Sequence, residues 1–195
     1  MKPGQTYSEV GLANGKRILL RALKGSDLSE ARRFANSLVA EREVDRDLGL
    51  LLDRRVTLRE ERKWLREVVG GLRTGESVSV AAFDGRRMVG HCDVSRRKFG
   101  DVRHTGLLGI AILEGYRSMG LGRSMMLTAF GLSKAAGITL VELGVFANNP
   151  RAIRLYQKLG FKLVGRVPRK FRRPGRSIDE LTMYVDLEGE KGGGR

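Results

Sequence analysis

The sequence has few of the residues that build disulfides and metal sites. Its 195 residues include one cysteine, Cys92, and two histidines, His91 and His104. A lone cysteine excludes a disulfide within the chain, and this set cannot supply a zinc site at ligand spacing. We therefore predict a protein without a metal.

Long apolar runs are missing as well. The longest uncharged segments, 104–113 and 124–133, are about half as long as the ~20 residues that a membrane-spanning helix needs. The N-terminus, residues 1–4, lacks the apolar segment that is typical of a signal peptide. These observations predict no membrane span and a cytoplasmic location.

The chain length and its hydropathy patterns indicate one α/β domain with a mixed sheet. The composition is 41% hydrophobic and 30% charged, which is ordinary for a globular domain of this size. Alternation over 77–83, followed by Asp84-Gly85, predicts a β-hairpin. Thr57 and Glu60 have the spacing of a helix capping box. We expect a domain over 16–188, a flexible arm over 1–15 and a flexible tail over 189–195.

Positive charge dominates and is unevenly distributed. The formal net charge is +15, and residues 151–176 contain ten basic and no acidic side chains. Arginine outnumbers lysine 27 to 10, and the planar guanidinium suits bidentate recognition of phosphate. The pattern indicates either a solvated basic face or an anionic partner, which would be a phosphorylated cofactor, a nucleic acid or both.

A glycine-bearing turn at 113–120 joins an apolar strand to a helix. Backbone amides at the start of a helix lack intrahelical partners, and the helix dipole adds positive potential, so this turn predicts an anion site. Gly120 and Gly122 allow close approach to the main chain, and Arg117 and Arg123 add charge. The spacing fits neither the phosphate-loop nor the dinucleotide-binding signature.

Two segments, 107–136 and 141–164, together resemble the GNAT superfamily of N-acetyltransferases. Residues 117–122 match its R/Q-x-x-G-x-G/A signature, and residues 149–161 match its N-x-x-A-x-x-L-Y-x-x-x-G-F pattern. These two motifs are most similar to those of the ribosomal-protein alanine acetyltransferase branch. The resemblance implies a single-domain α/β fold whose mixed central sheet of about seven strands is flanked by helices.

The resemblance also implies acetyl-CoA as cosubstrate and a set of site residues. The strand over 108–113 would offer its backbone to the pantetheine arm, and the following turn would hold the pyrophosphate. Tyr156 would protonate the departing thiolate, which suits a phenol because it keeps its proton at pH 7. The implied cofactor contacts are Ile110, Ala111, Ile112, Arg117, Ser118, Met119, Gly120, Leu121, Gly122, Arg123, Asn149, Tyr156 and Lys158.

The sequence departs from the family where a general base is often found. Relatives often carry a glutamate near the position of Leu107, and another acid at the position of Gly144. Glu142 points the same way as Gly144 by strand alternation, so it is the candidate base. A water chain that passes the proton to solvent is an alternative. Further candidates are His91, His104 and Asp93.

The ionisation of amines favours one class of acceptor. An α-amine with a pKa near 8 is roughly one-tenth neutral at pH 7, whereas lysine, at about 10.4, is neutral only a few times in ten thousand. A site without an evident strong base therefore favours a protein N-terminal α-amine, which attacks the thioester directly in a ternary complex. The alternatives are a small-molecule amine acetyltransferase for an antibiotic, amino acid or polyamine, and a non-catalytic acyl-CoA sensor or basic nucleic-acid-binding module.

Two charged segments suggest further contacts. The basic loop 166–176 exceeds what one cofactor's phosphates require, so we expect a contact with RNA, for instance on a ribosome. The acidic run 41–47 is a candidate patch for a cationic substrate.

We expect a monomer or a homodimer. Exposed strand edges within 161–187 would allow two chains to pair.

Overall fold

A computed structural model of the chain describes residues 1–45 and 48–189. Within these ranges the chain forms eight strands and four α-helices. The helices are α1 (Leu28–Val44), α2 (Leu58–Thr74), α3 (Leu121–Ala135) and α4 (Pro150–Lys158). The strands are β1 (Thr6–Gly11), β2 (Arg17–Arg21), β3 (Ser77–Asp84), β4 (Arg87–Arg96), β5 (Thr105–Ile112), β6 (Leu140–Phe146), β7 (Lys162–Arg173) and β8 (Arg176–Asp186).

The eight described strands form one mixed sheet in the order β1-β2-β3-β4-β5-β6-β8-β7. Among them β5 and β6 are the parallel pair, and the other neighbours are antiparallel. A Cβ on Gly90 would meet Met125 of α3, whereas the neighbouring His91 packs edge-on against Trp64 of α2. Because consecutive strand residues point to opposite faces, α2 and α3 cover opposite faces of the sheet.

Local sequence signals set several helix ends. The predicted capping box forms at α2, where the Thr57 hydroxyl accepts from the Glu60 amide and Glu60 accepts from the Thr57 amide. At α4, Asn149 caps the helix and Pro150 occupies its first position. A left-handed Gly75 follows α2, and such residues commonly end helices.

The first strand corrects the expected arm over 1–15 and raises the number of strands from about seven to eight. Residues 6–11 pair antiparallel with β2, with Val10 opposite Ile18. The turn between them contains Asn14-Gly15, a favoured hairpin dipeptide, and Gly15 has φ +81°. The last two strands, β7 and β8, form one hairpin.

The segment between α1 and α2 has no helix in its described part, 48–57. Arg42 of α1 donates to the Leu52 carbonyl at 2.5 Å, and Asn36 exchanges hydrogen bonds with the backbone of Val56. These contacts hold the segment against α1. Asp47 of the acidic run and residues 190–195 of the expected tail lie outside the described residues.

Candidate active site

A cleft opens where β5 and β6 stop pairing. Their ladder joins Thr105, Gly106 and Leu107 to Leu140, Val141 and Glu142. Beyond this point β5 continues to Ile112 along β4, and β6 continues to Phe146 along β8. Each strand therefore presents one unpaired backbone edge to the cleft, which suits an extended ligand that carries amide groups.

The predicted cofactor residues Ile110, Ala111 and Ile112 lie on the unpaired part of β5. Ile110 and Ile112 are half-buried, and both side chains approach Gly122 at the start of α3. A Cβ on Gly122 would lie 3.2 Å from Leu155 Cδ2 and 3.4 Å from Ile112 Cδ1. Gly122 thus lets α3 pack closely against α4 and β5.

The turn after β5 has the backbone geometry of an anion-binding site. Ser118 and Gly120 have φ of 60° and 88°, and α3 begins at Leu121. A positive φ is unusual for serine, and such a conformation persists only where the surrounding structure holds the backbone in place. Left-handed residues beside a helix start form a concave array of amides, and the first helical amides lack intrahelical partners. Residues 118–122 can therefore bind a phosphate through the main chain.

Arg117 fixes this turn to the rest of the fold. Its Nε donates to the Ile112 carbonyl at 2.6 Å, and its guanidinium pairs with Glu114 and with Glu41 of α1. Glu41 also accepts from the Glu114 amide at 2.9 Å. The predicted cofactor residue thus holds the loop in shape, and Glu41 is a supporting residue that the sequence reasoning assigned to an acidic patch.

The other predicted loop residues divide by exposure. Leu121 is fully buried and Met119 packs against the core, whereas the Arg123 side chain is exposed. Met119 and Leu121 can therefore offer only their amides to a phosphate. Arg123 can offer its charge.

The start of α4 lies beside the loop. Asn149 Oδ1 accepts from the Ala152 amide at 3.0 Å, and Arg151 donates to Ser118 Oγ at 3.1 Å. Arg151 is a residue that the sequence reasoning missed, although its place at a helix start gave a signal. Lys158 is exposed at the opposite end of α4, about 10 Å along the helix axis from Arg151.

Tyr156 is placed to hold a proton inside the domain. It is buried, and its ring centroid lies 5.6 Å from that of Phe161. Burial, and secondly the neighbouring Cys92, raise the pKa of Tyr156 above its ordinary value. Cys92 pairs with Ile110 across the β4–β5 ladder, so the phenol lies near the cleft strand.

Cys92 itself is unsuited to act as a nucleophile. It is fully buried, and burial raises the pKa of its thiol well above the ordinary value. The thiolate, which is the reactive form of cysteine, is therefore disfavoured.

The candidate bases lie on or near the sheet face opposite to the one that α3 covers. Glu142 forms an ion pair with Arg97 at 2.6 Å. His91 is buried, with Nε2 2.9 Å from Ser79 Oγ, and burial lowers its pKa. His104 is exposed at the start of β5, at the end of the strand opposite to the phosphate-binding turn.

The β7–β8 hairpin meets the α1–α2 segment over the end of β6. Arg173 donates to the carbonyls of Leu48 and Leu50 at 3.3 and 2.9 Å. The rings of Phe146 and Phe171 stack with centroids 3.9 Å apart. These contacts form a wall on the side of the sheet that carries Glu142.

Several cations of the basic loop 166–176 are engaged within the fold. Arg166 pairs with Asp179 at 2.6 Å, and Lys170 pairs with Glu180 at 3.3 Å. Arg169 has φ +56°, and its amide donates to Asp179 at 2.7 Å. The loop therefore offers less free charge to a nucleic acid than its composition indicates.

Neither a membrane-crossing helix nor a metal-binding cluster is found among the described residues. None of their helices combines the length and apolar character that a membrane crossing needs. No group of three or more His, Cys, Asp or Glu side chains among them is arranged to hold a metal ion.

Residues 43–161 match the acetyltransferase (GNAT) family. An uncharacterised N-acetyltransferase of Mycobacterium bovis is 32% identical over 111 residues, which are 57% of this chain and 67% of that protein. An L-methionine sulfoximine/L-methionine sulfone acetyltransferase of Pseudomonas paraeruginosa is 24% identical over 117 residues, 60% of this chain and 68% of that protein.

Solved structures share the fold over most of both chains. A GNAT-family acetyltransferase from Streptococcus pneumoniae has a TM-score of 0.77 at 26% identity, covering 87% of this chain and 99% of its own. A Salmonella typhimurium protein solved with its cofactor acetyl-CoA has 0.72 at 19% identity, covering 90% and 96%. A ribosomal-protein-S5-alanine acetyltransferase from Vibrio fischeri has 0.76 at 15% identity, covering 96% and 99%.

Proposed function

This chain belongs to the acetyltransferase (GNAT) family, and we propose that it transfers the acetyl group of acetyl-CoA to the α-amine of a protein N-terminus. It is an acetyl-CoA-dependent N-acetyltransferase; the proposal concerns its acceptor and its catalytic residues. The structural observation that supports acetyl transfer from acetyl-CoA is the unpaired edge of β5, which leads directly into the amide-lined turn at 118–122.

The residues present fit acetyl-CoA. The backbone of 108–112 would accept the amide-bearing pantetheine arm, because an extended ligand can complete the edge that β6 leaves free. The amides of 118–122 would hold the pyrophosphate, with Arg151 and Arg123 adding charge at the rim. Bound acetyl-CoA would supply the thioester that the acceptor amine attacks.

Tyr156 would serve as the acid of the reaction. Its raised pKa keeps the phenol protonated across the physiological range, so it can donate to a sulfur leaving group. A buried thiol at Cys92 makes a covalent acyl-enzyme unsuitable. Direct attack by the amine on the thioester, in a ternary complex, accounts for both features.

The choice of an α-amine rests on protonation and on the relatives. An α-amine is neutral far more often than a lysine or polyamine nitrogen at pH 7. A Pseudomonas relative is named for methionine sulfoximine and methionine sulfone, and a structural neighbour for a ribosomal-protein alanine. Both acceptors carry an α-amino group. The amino-acid relative makes a free amino acid the second candidate.

An acceptor panel tests the proposal. Release of CoA thiol would be followed with an alanine-initiated peptide, the same peptide blocked at its N-terminus, L-methionine sulfone and spermidine. We expect the free peptide to have the highest kcat/KM and the blocked peptide to be inert. A higher value for methionine sulfone would assign the second candidate, and a higher value for spermidine would contradict the α-amine proposal.

A further inference from the structure

Two glycines face each other across the mouth of the cleft. Gly109 on β5 and Gly144 on β6 each lie two residues beyond the last pair, Leu107 with Glu142, and both are exposed. They therefore occupy equivalent positions on the same face of the sheet. Their missing side chains leave room beside the cleft.

Carboxylates from the neighbouring strands lie over both glycines. A Cβ built on Gly109 would lie 3.2 Å from Oδ1 of Asp93, which pairs with Gly109 across the β4–β5 ladder. A Cβ built on Gly144 would lie 2.8 Å from the carboxyl carbon of Glu180 on β8. The acids missing from the central strands are thus supplied from the strands beside them.

The carboxylates on this face differ in their partners. Glu142 pairs with Arg97, and Glu180 pairs with Lys170. Among the described residues, Asp93 forms no ion pair with a lysine or arginine. Its charged neighbour is His91, whose Nδ1 lies 3.7 Å away and whose burial favours the neutral ring. Within the described residues, Asp93 therefore lacks the lysine or arginine partner that Glu142 and Glu180 each have.

The surroundings of Asp93 also raise its affinity for a proton. Burial raises the pKa of Asp93, opposed by His91 and by a hydrogen bond from Ser95. A third of its side chain remains exposed, so an amine in the cleft can reach it. A base with a raised pKa removes a proton from an ammonium more readily than an ordinary aspartate does.

We propose that Asp93 is the general base that takes the proton from the acceptor ammonium at the mouth of the β5–β6 cleft. This role rests on the proposed acetyl transfer. One ammonium proton passes to the Asp93 carboxylate and on to solvent, and the neutral amine forms the C–N bond as the C–S bond breaks. A second nitrogen proton replaces the one that Tyr156 gives to the thiolate, so each turnover releases one proton.

The test compares Asp93→Asn with Glu142→Gln, which removes the rival base, and Glu67→Gln, a control on the exposed side of α2. The readouts are kcat and KM for the accepted amine from pH 6 to 9.5 and the acetyl-CoA Kd. We expect Asp93→Asn to lower kcat by about 10²- to 10⁴-fold at pH 7, with acetyl-CoA Kd unchanged. The deficit should shrink as pH rises, because the amine then loses its proton unaided.

One further variant and one further measurement test the same role of Asp93. Gly109→Ala places a methyl group 3.2 Å from Asp93 Oδ1 and should lower kcat. Asp93→Asn should raise the melting temperature at pH 7, because the ionised form of a carboxyl with a raised pKa destabilises the fold, and this gain should vanish below about pH 4.

Opposite results separate the two claims. If Asp93→Asn keeps wild-type kcat while Glu142→Gln loses it, the base is Glu142 and the inference fails. If the wild-type protein acetylates no amine although it binds acetyl-CoA, the proposed function fails instead.

Discussion

Arg117 and Glu41, 76 residues apart, form an ion pair with nitrogen and oxygen 2.5 Å apart. The Arg117 side chain is 15% exposed and that of Glu41 is 24% exposed, so water screens the pair only partly. Through this pair α1 supports the turn that the proposed function assigns to the pyrophosphate. The shape of the turn therefore depends on a helix from the opposite half of the sequence.

Glu41→Gln should weaken acetyl-CoA binding without removing any group that touches the cofactor. The glutamine can still accept from the Glu114 amide but no longer neutralises Arg117. We expect the acetyl-CoA Kd to rise about tenfold, which corresponds to about 1.4 kcal/mol. Calorimetric titration would measure it. Glu43→Gln, an exposed neighbour on α1, is the control, and equal Kd values for the two variants would refute the supporting role.

Tyr156→Phe should lower kcat by about 10²- to 10⁴-fold and leave the acetyl-CoA Kd unchanged. The buried ring keeps its packing against Phe161, so the melting temperature should change little. Because the pKa of Tyr156 is raised, wild-type activity should show no loss from its ionisation up to about pH 10. An unchanged kcat would remove Tyr156 from the mechanism.

Gly106→Ala should destabilise the point where β5 and β6 pair. Its Cβ would lie 2.5 Å from Val94 Cγ1 and 3.0 Å from Ile138 Cγ2, which are fully buried residues. Overpacking of this kind lowers the free energy of unfolding by about 1–3 kcal/mol. Urea unfolding would measure the loss. Gly11→Ala, where a Cβ meets no atom of the described residues within 4 Å, should change stability much less.

RNA binding through the basic loop 166–176 stays a prediction with a clear salt signature. Arg169 and Arg172 have exposed side chains there. If the loop binds RNA phosphates, affinity for a ribosomal RNA fragment should fall at least tenfold between about 50 and 200 mM salt, because binding releases counterions. Arg169→Ala with Arg172→Ala should weaken binding and flatten that dependence. Binding that is insensitive to salt would count against the contact.

The sequence predicted the parts of the fold that local signals encode. The capping box at Thr57 and the strand-turn-helix unit around Gly120 are each determined by adjacent residues. The resemblance to the family at 117–122 and 149–161 then gave the architecture of the sheet. These predictions needed no knowledge of distant contacts.

The features that were missed depend on contacts between distant segments. Strand β1 was assigned to a flexible arm because its short alternation carries little information until β2 pairs with it. The sequence could not show that Glu41 supports the phosphate-binding turn or that Glu180 covers Gly144. Side-chain partners across a sheet or between helices follow from packing, which the sequence pattern does not encode residue by residue.

The central claim is that the turn at 118–122 and the free edge of β5 bind acetyl-CoA. Calorimetric titration of the purified protein with acetyl-CoA, CoA and ATP tests it most directly. The account predicts micromolar Kd values for both CoA forms and much weaker binding of ATP, because only the CoA forms carry the pantetheine arm that completes β5. Folded protein that binds neither CoA form, or that binds ATP equally well, would contradict it.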